Sequence, residues 1–167
     1  MLFHRVFRIA LVSCSLMPAS AYTTGAALAS APVVILSAEA LGVNVAVSVE
    51  PSRAGRCYFS ESSFVWGAED SCPRHYIREM SINIEGRPTF VPLSVFSDLG
   101  NPTQVSVRRG KDRSQFVIDL HGGDAATSYL AFISVRNGEV ASRRVVSKTF
   151  PKEAYEVTQY RWNRTSK

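Results

Sequence analysis

The 167-residue chain predicts an all-β fold, either an antiparallel β-sandwich or a closed β-meander of about eight strands with one or two short helical turns. Three observations lead to that class. Val43, Val45, Val47 and Val49 alternate with Asn44, Ala46, Ser48 and Glu50, the period of a half-buried strand. Asn137-Gly138 sits between two β-rich runs, and a type I′ hairpin turn needs positive φ at both of its central residues. Beyond the first residues, no long stretch carries a helical period.

The elements follow in order. The valine strand ends at Pro51. "YIREMSINI" predicts a second strand, with Tyr76, Arg78, Met80, Ile82 and Ile84 on one side, turning at Glu85-Gly86-Arg87-Pro88. "TFVP" reads as its return strand. "LSVFSDLGNP" predicts a short helical turn stopped by Gly100-Asn101-Pro102. "TQVSVRR" places Val105 and Val107 inward, "RGKD" turns the chain, and "SQFVIDLH" alternates Phe116, Ile118 and Leu120 against Val117 and Asp119. The Asn137-Gly138 hairpin comes next. "PKEAYE" then predicts one helical turn begun by Pro151, and "VTQYRWN" a last strand.

Residues 1–21 carry the anatomy of a signal peptide: Arg5 and Arg8, an apolar run from Ile9 to Met17, then Ala19-Ser20-Ala21 for cleavage. That run is far short of the roughly 20 residues needed to cross a bilayer, so a transmembrane anchor is not expected. "LVSC" offers a competing lipoprotein box with Cys14 as the lipidated residue. Residues 22–32 predict a flexible N-terminal tail, and 33–167 a single β domain. The expected location is periplasmic or secreted.

Cleavage would remove Arg5 and Arg8 and no acid, lowering the formal charge of +5 by two. That modest excess does not imply nucleic-acid binding. Two cysteines would remain, Cys57 and Cys72, and export favours a disulfide between them. Closing a loop of about 15 residues contributes about 3 kcal/mol in the chain-entropy model. A zinc site from Cys57, Cys72, His75 and His121 is the rival, weakened because only one ligand pair is close in sequence.

"HGGDAATS", residues 121–128, gathers a histidine, two glycines, an aspartate and a serine between two strands. Turn chemistry explains it without a site. A triad of Ser128, His121 and Asp124 within one loop cannot easily place two side-chain hydrogen bonds in line, and no G-x-S-x-G elbow occurs in the chain. "GGD" is similar to part of the diguanylate cyclase signature, but Ala125 and Ala126 stand where a glutamate and a phenylalanine are expected. A phosphate loop should lead into a helix, and "ATSYLAFISV" is β-forming. Glu61, Glu69 and Asp70 are candidate glycosidase carboxylates, but in a polar loop the expectation is solvation. No catalytic set, metal or cofactor is predicted.

Two surfaces remain as binding candidates. The cysteine loop holds Tyr58, Phe59, Phe64 and Trp66, large rigid side chains of the kind that concentrate binding energy, although burial under one end of the sandwich is the plainer reading. Basic residues cluster at Arg108, Arg109, Lys111 and Arg113, and at Arg143, Arg144 and Lys148. Neighbours on a strand face opposite sides, so Arg143 and Arg144 either guard an edge strand or offer one guanidinium to an anion. Tyr58, Phe64, Trp66, Arg143 and Arg144 are the predicted binding residues. The expected protein is an exported monomer that binds another protein of the envelope or exterior, with an anionic envelope polymer as a second partner class. It would serve as an inhibitor, immunity or accessory factor. A small envelope hydrolase using Glu61, Asp70, His75 or His121, and a structural subunit of a surface assembly, are the alternatives.

Overall fold

Three two-residue hairpins set much of the strand order. A computed structural model describes residues 33–52, 64–69 and 72–162. In it Leu41-Gly42, Glu85-Gly86 and Asn137-Gly138 all have positive φ at both positions. They are flanked by the closing pairs Ala40↔Val43, Ile84↔Arg87 and Arg136↔Glu139. These are the backbone requirements of I′-type turns, whose twist matches that of the strands they join.

Among the described residues nine strands form two antiparallel sheets. β1 (Val34–Ala40), β2 (Val43–Pro51), β3 (His75–Ile84) and β4 (Arg87–Thr89) make the first, in chain order. β5 (Pro102–Arg109), β6 (Gln115–Gly122), β7 (Tyr129–Arg136), β8 (Glu139–Ser147) and β9 (Glu156–Gln159) make the second, also in chain order. The result is an all-β sandwich of two meanders. Among the described residues two single-turn 3-10 helices, Leu93–Val95 and Ala125–Thr127, interrupt the connections. Among the described residues no helix is long and apolar enough to cross a membrane.

The core lies between the inner faces. Val43, Val45, Val47 and Val49 of β2 are buried and share one cluster with Ile118 and Leu120 of β6, Ala131, Ile133 and Val135 of β7, and Val140 and Val145 of β8. The loop that carries the first 3-10 turn adds Val95, Phe96 and Leu99 to that cluster. Removing apolar area from water is the main stabilising term here, at roughly 25 cal/mol per Å².

The structure differs from the sequence reading in four places. β1 is an additional strand, which makes nine: the run Val33 to Leu36 is apolar without alternation, and so carries no period-two signal. In β3 the alternation breaks, because Val49 pairs with Ile77 while Ser48 pairs with Glu79, leaving Arg78 in a bulge. Ile77 and Met80 are therefore both buried, whereas Arg78 bonds Glu50, as does the Tyr76 hydroxyl. The return strand β4 starts earlier than "TFVP" and keeps Pro88 at a sheet edge, where a missing N–H is tolerated. Residues 151–156 form no helical turn; Glu153 N–H closes a hydrogen-bonded turn onto the Phe150 carbonyl instead.

Candidate functional site: an aromatic cleft held by a buried arginine

At the end of the second sheet where β6 and β8 finish and β7 and β9 begin, a cleft of about 430 Å³ opens to the surface. Phe64, Trp66, Phe150 and Tyr155 supply large apolar walls, and Thr127, Ser128, Ser147 and Thr149 add hydroxyls to the lining. Phe64 meets Trp66 edge-on at 4.9 Å between centroids, and Trp66 meets Tyr155 in the same manner at 6.0 Å. Such edge contacts are the preferred aromatic geometry and add to the burial they bring. Phe64 is nevertheless 69% exposed, Phe150 56% and Tyr155 55%. Three large rings standing open around one concavity is the pattern of a contact surface rather than of a core.

The backbone beneath the cleft explains how a loop holds a fixed shape. Trp66 forms a parallel bridge with Leu99, its N–H donating to the Asp98 carbonyl at 2.8 Å and its own carbonyl accepting from Gly100 N–H at 2.8 Å. Asn101 ties three segments together. Its Nδ2 donates to the Gly67 carbonyl at 2.7 Å, its Oδ1 accepts from His75 N–H at 2.9 Å, and its carbonyl accepts from Gly123 N–H at 3.0 Å.

Gly123 resolves the role of the "HGGD" loop. It holds φ +68, and a Cβ placed there would lie 2.8 Å from Gly67 Cα and 2.5 Å from the Thr127 carbonyl oxygen. Two backbones meet at a distance only glycine permits. The loop is a docking point for the aromatic segment. A Ser128–His121–Asp124 triad, already disfavoured by the sequence, is not assembled, since Ser128 Oγ donates to the Ala125 carbonyl at 2.8 Å within its own turn, while His121 sits opposite Leu130 on the outer face of the sheet.

Arg143 controls the site from inside. On β8 it is 1% exposed, with its guanidinium bidentate on the Asp98 carboxylate, bonded to Glu156 at 2.7 Å and to the Ser94 carbonyl at 2.9 Å. Glu156 in turn accepts from Trp66 Nε1 at 3.2 Å and from Thr158 Oγ1 at 2.9 Å. Burial opposes the charge on Arg143, but hydrogen bonds and the charges of Asp98, then Glu156, outweigh it and raise its pKa. Burial likewise pushes Glu156 up, yet bonds from Thr158 and Arg143, the arginine's charge and the Trp66 N–H bring it below the ordinary carboxylate range. Burial beside Asp98 pushes the Tyr129 hydroxyl well above its usual value, so it stays protonated.

Of the predicted binding residues, Phe64 and Trp66 come together in the cleft, and Tyr58 lies outside the described residues. Arg143 and Arg144 do face opposite ways, but β8 is not an edge strand, because β9 pairs with it. Both terminal nitrogens of Arg143 are bonded inside, while its Nε has no partner, and the buried guanidinium presents no charge to an anion. Arg144 stands on the outer face, its guanidinium 5.9 Å from the Phe132 ring centroid. Cys72 is disulfide-bonded; Cys57, Glu61 and Asp70 lie outside the described residues. Glu69 lines a small polar recess with Cys72, Arg74 and Asp124. Partial burial, then Lys148, lowers the pKa of His121 against the opposing pull of Asp119. Among the described residues no three His, Cys, Asp or Glu side chains gather as metal ligands.

This chain matches no family model, no curated protein and no solved structure. Function must then be argued from the site itself. Sequence reasoning missed Asn101, Phe150, Tyr155 and the Asp98–Arg143–Glu156 cluster. Asn101 had one signal, an Asn preceded by Gly and followed by Pro; the ionic cluster had none, being drawn from three separate elements.

Proposed function

We propose that this protein is an exported binding protein whose aromatic cleft receives an apolar side chain projecting from a partner protein of the envelope or exterior, and that it acts as an inhibitor, immunity or accessory factor. The observation that carries the reading is the exposed Phe64 set edge-on against the anchored Trp66 at the mouth of the cleft. A volume of about 430 Å³ falls within the range of binding pockets, roughly 300–1,000 Å³. Thr127 and Ser128 donate their hydroxyl protons to the Asp124 and Ala125 carbonyls, which leaves their oxygens to accept from the partner's backbone N–H groups. Trp66 is held at its indole nitrogen and Phe64 rests against it, so little side-chain freedom is lost on binding. A Cys57–Cys72 bridge would add to this by tethering the segment that leads into Phe64.

The test compares immobilised wild-type protein with a Phe64→Ala/Phe150→Ala double variant in an envelope extract. Circular dichroism and thermal unfolding should be the same for both, because both side chains are mainly exposed. Wild type should retain a specific protein at least about tenfold better, as truncation of an aromatic anchor typically costs over 1 kcal/mol. Equal recovery by two folded proteins would remove the cleft from the function.

A further inference from the structure

The outer face of the second sheet carries a separate feature. Strand register places Ser106, Asp119, Phe132, Arg144 and Val157 in one row across all five strands, and Arg108, Val117, Ser134, Ser142 and Gln159 in the next. Above these rows lies a trough of about 460 Å³, edged by Arg108, Lys111 and Arg144 and floored by Val117, Ser134 and Ser142.

The two arginines of this trough are held in place. Arg108 lies 5.7 Å and Arg144 5.9 Å from the centroid of the same ring, Phe132. Arg108 is also bonded to Asp119 at 2.8 Å, so its charge is largely answered. Arg144 and Lys111 have no carboxylate within ion-pair distance among the described residues, and the nearby acid Asp112 is paired with Arg136. Gln115 Nε2 donates to Ser134 Oγ at 2.7 Å, which fixes one wall of polar groups.

We infer that this trough binds an anionic polyhydroxy polymer, with the acidic group of one repeat unit between Arg144 and Lys111 and its hydroxyls on Ser134, Ser142 and Gln115. The shared chemistry is a phosphate or carboxylate on a polyhydroxy chain. Arginine and lysine favour such oxyanions through charge-assisted hydrogen bonds. Serine hydroxyls on neighbouring strands, spaced by about 4.8 Å, suit a polyol better than an apolar chain. A nucleic-acid strand fits less well, because single strands need open aromatic faces for their bases and Phe132 already carries two guanidiniums. The inference is independent of the aromatic cleft, which lies at the sheet's end rather than on its face.

The experiment measures retention of the full-length protein on immobilised poly(glycerol phosphate), polygalacturonate and neutral dextran, with phosphatidylglycerol vesicles and a single-stranded oligonucleotide as competitors. Wild type should bind one or both acidic polymers and not dextran, and the arm that binds distinguishes phosphate from carboxylate. Arg144→Gln and Lys111→Gln should each weaken retention by about tenfold, the worth of one charge-assisted bond, while Phe64→Ala leaves it unchanged. Equal retention of wild type and a folded Arg144→Gln variant would overturn the site. So would retention on dextran equal to that on the acidic polymers, or displacement by vesicles or oligonucleotide at lower concentration than by soluble polymer. If Arg144→Gln lowers the unfolding temperature, the Lys111→Gln variant, altered in an exposed turn, decides alone.

Discussion

Trp66 donates its indole N–H to the carboxylate of Glu156 across 90 residues of chain, at 3.2 Å. The same carboxylate is bonded to Arg143, which grips Asp98 on its other side. The surface ring and the buried cation are thus joined through one acid, and the shape of the cleft depends on a buried guanidinium held by two partly exposed carboxylates.

Arg143→Met should be among the most damaging single substitutions. It leaves two carboxylates without their cation; these are 30% and 33% exposed, so water offsets part of the about 3–5 kcal/mol that breaking a fully buried pair costs. Denaturant unfolding of the variant measures this; a loss below about 1 kcal/mol would mean that the pair is solvated in solution. The triple replacement Arg143→Met, Asp98→Asn, Glu156→Gln should recover part of the loss, since no charge is then stranded.

Acid should loosen the cleft before it unfolds the domain. The pKa of Glu156 is lowered from 4.5, so its stabilising contribution is complete above the unfolded value and is lost as pH falls through the lower folded value. Stability should therefore decline below about pH 4.5, with Trp66 fluorescence changing in the same range. Glu156→Gln should flatten that part of the profile. An identical acid profile for the variant would show that other carboxylates govern it.

Gly123→Ala should cost more than an ordinary surface alanine. The new methyl meets the backbone of Gly67 and Thr127 at a residue with φ +68, and overpacking against backbone costs about 1–3 kcal/mol. The loss should come with altered near-ultraviolet circular dichroism from Trp66. Gly138→Ala is the control for positive φ alone, since no atom lies within 4 Å of its would-be Cβ. Equal losses in the two variants would argue against a tight junction at Gly123.

Asn101→Gly keeps access to the residue's φ of 48° but removes both side-chain bonds, to the Gly67 carbonyl and from His75 N–H. Leaving such groups unmet costs about 1–3 kcal/mol where water is kept out. Hydrogen exchange at the His75 amide should accelerate in this variant. Unchanged exchange would show that solvent replaces the side chain without loss.

Much of the fold was legible because its signals are local. Asn137-Gly138 and Glu85-Gly86 announce turns within two residues, and β2 announces its buried face by strict alternation. β1 escaped because Val33 to Leu36 does not alternate, and the bulge at Arg78 escaped because a shift by one residue leaves the local pattern plausible on either face. In the candidate site Phe64 and Trp66 were legible from residue type and their place in the cysteine loop. The role of Arg143 was not, because its partners Asp98 and Glu156 lie 45 and 13 residues away. A charged residue in a β-rich run reads the same whether it faces water or turns inward to two acids.

The shared carboxylate of Glu156 also constrains how this molecule can diverge. A descendant that exchanged Arg143 for a neutral side chain would gain fitness only by discarding Asp98 and Glu156 as well, and with them the restraint on the indole. Partner choice and interior composition would then drift as a linked set, so new specificities should arise more readily at Phe64, Phe150 and Tyr155, which hang on the periphery, than at the tryptophan itself.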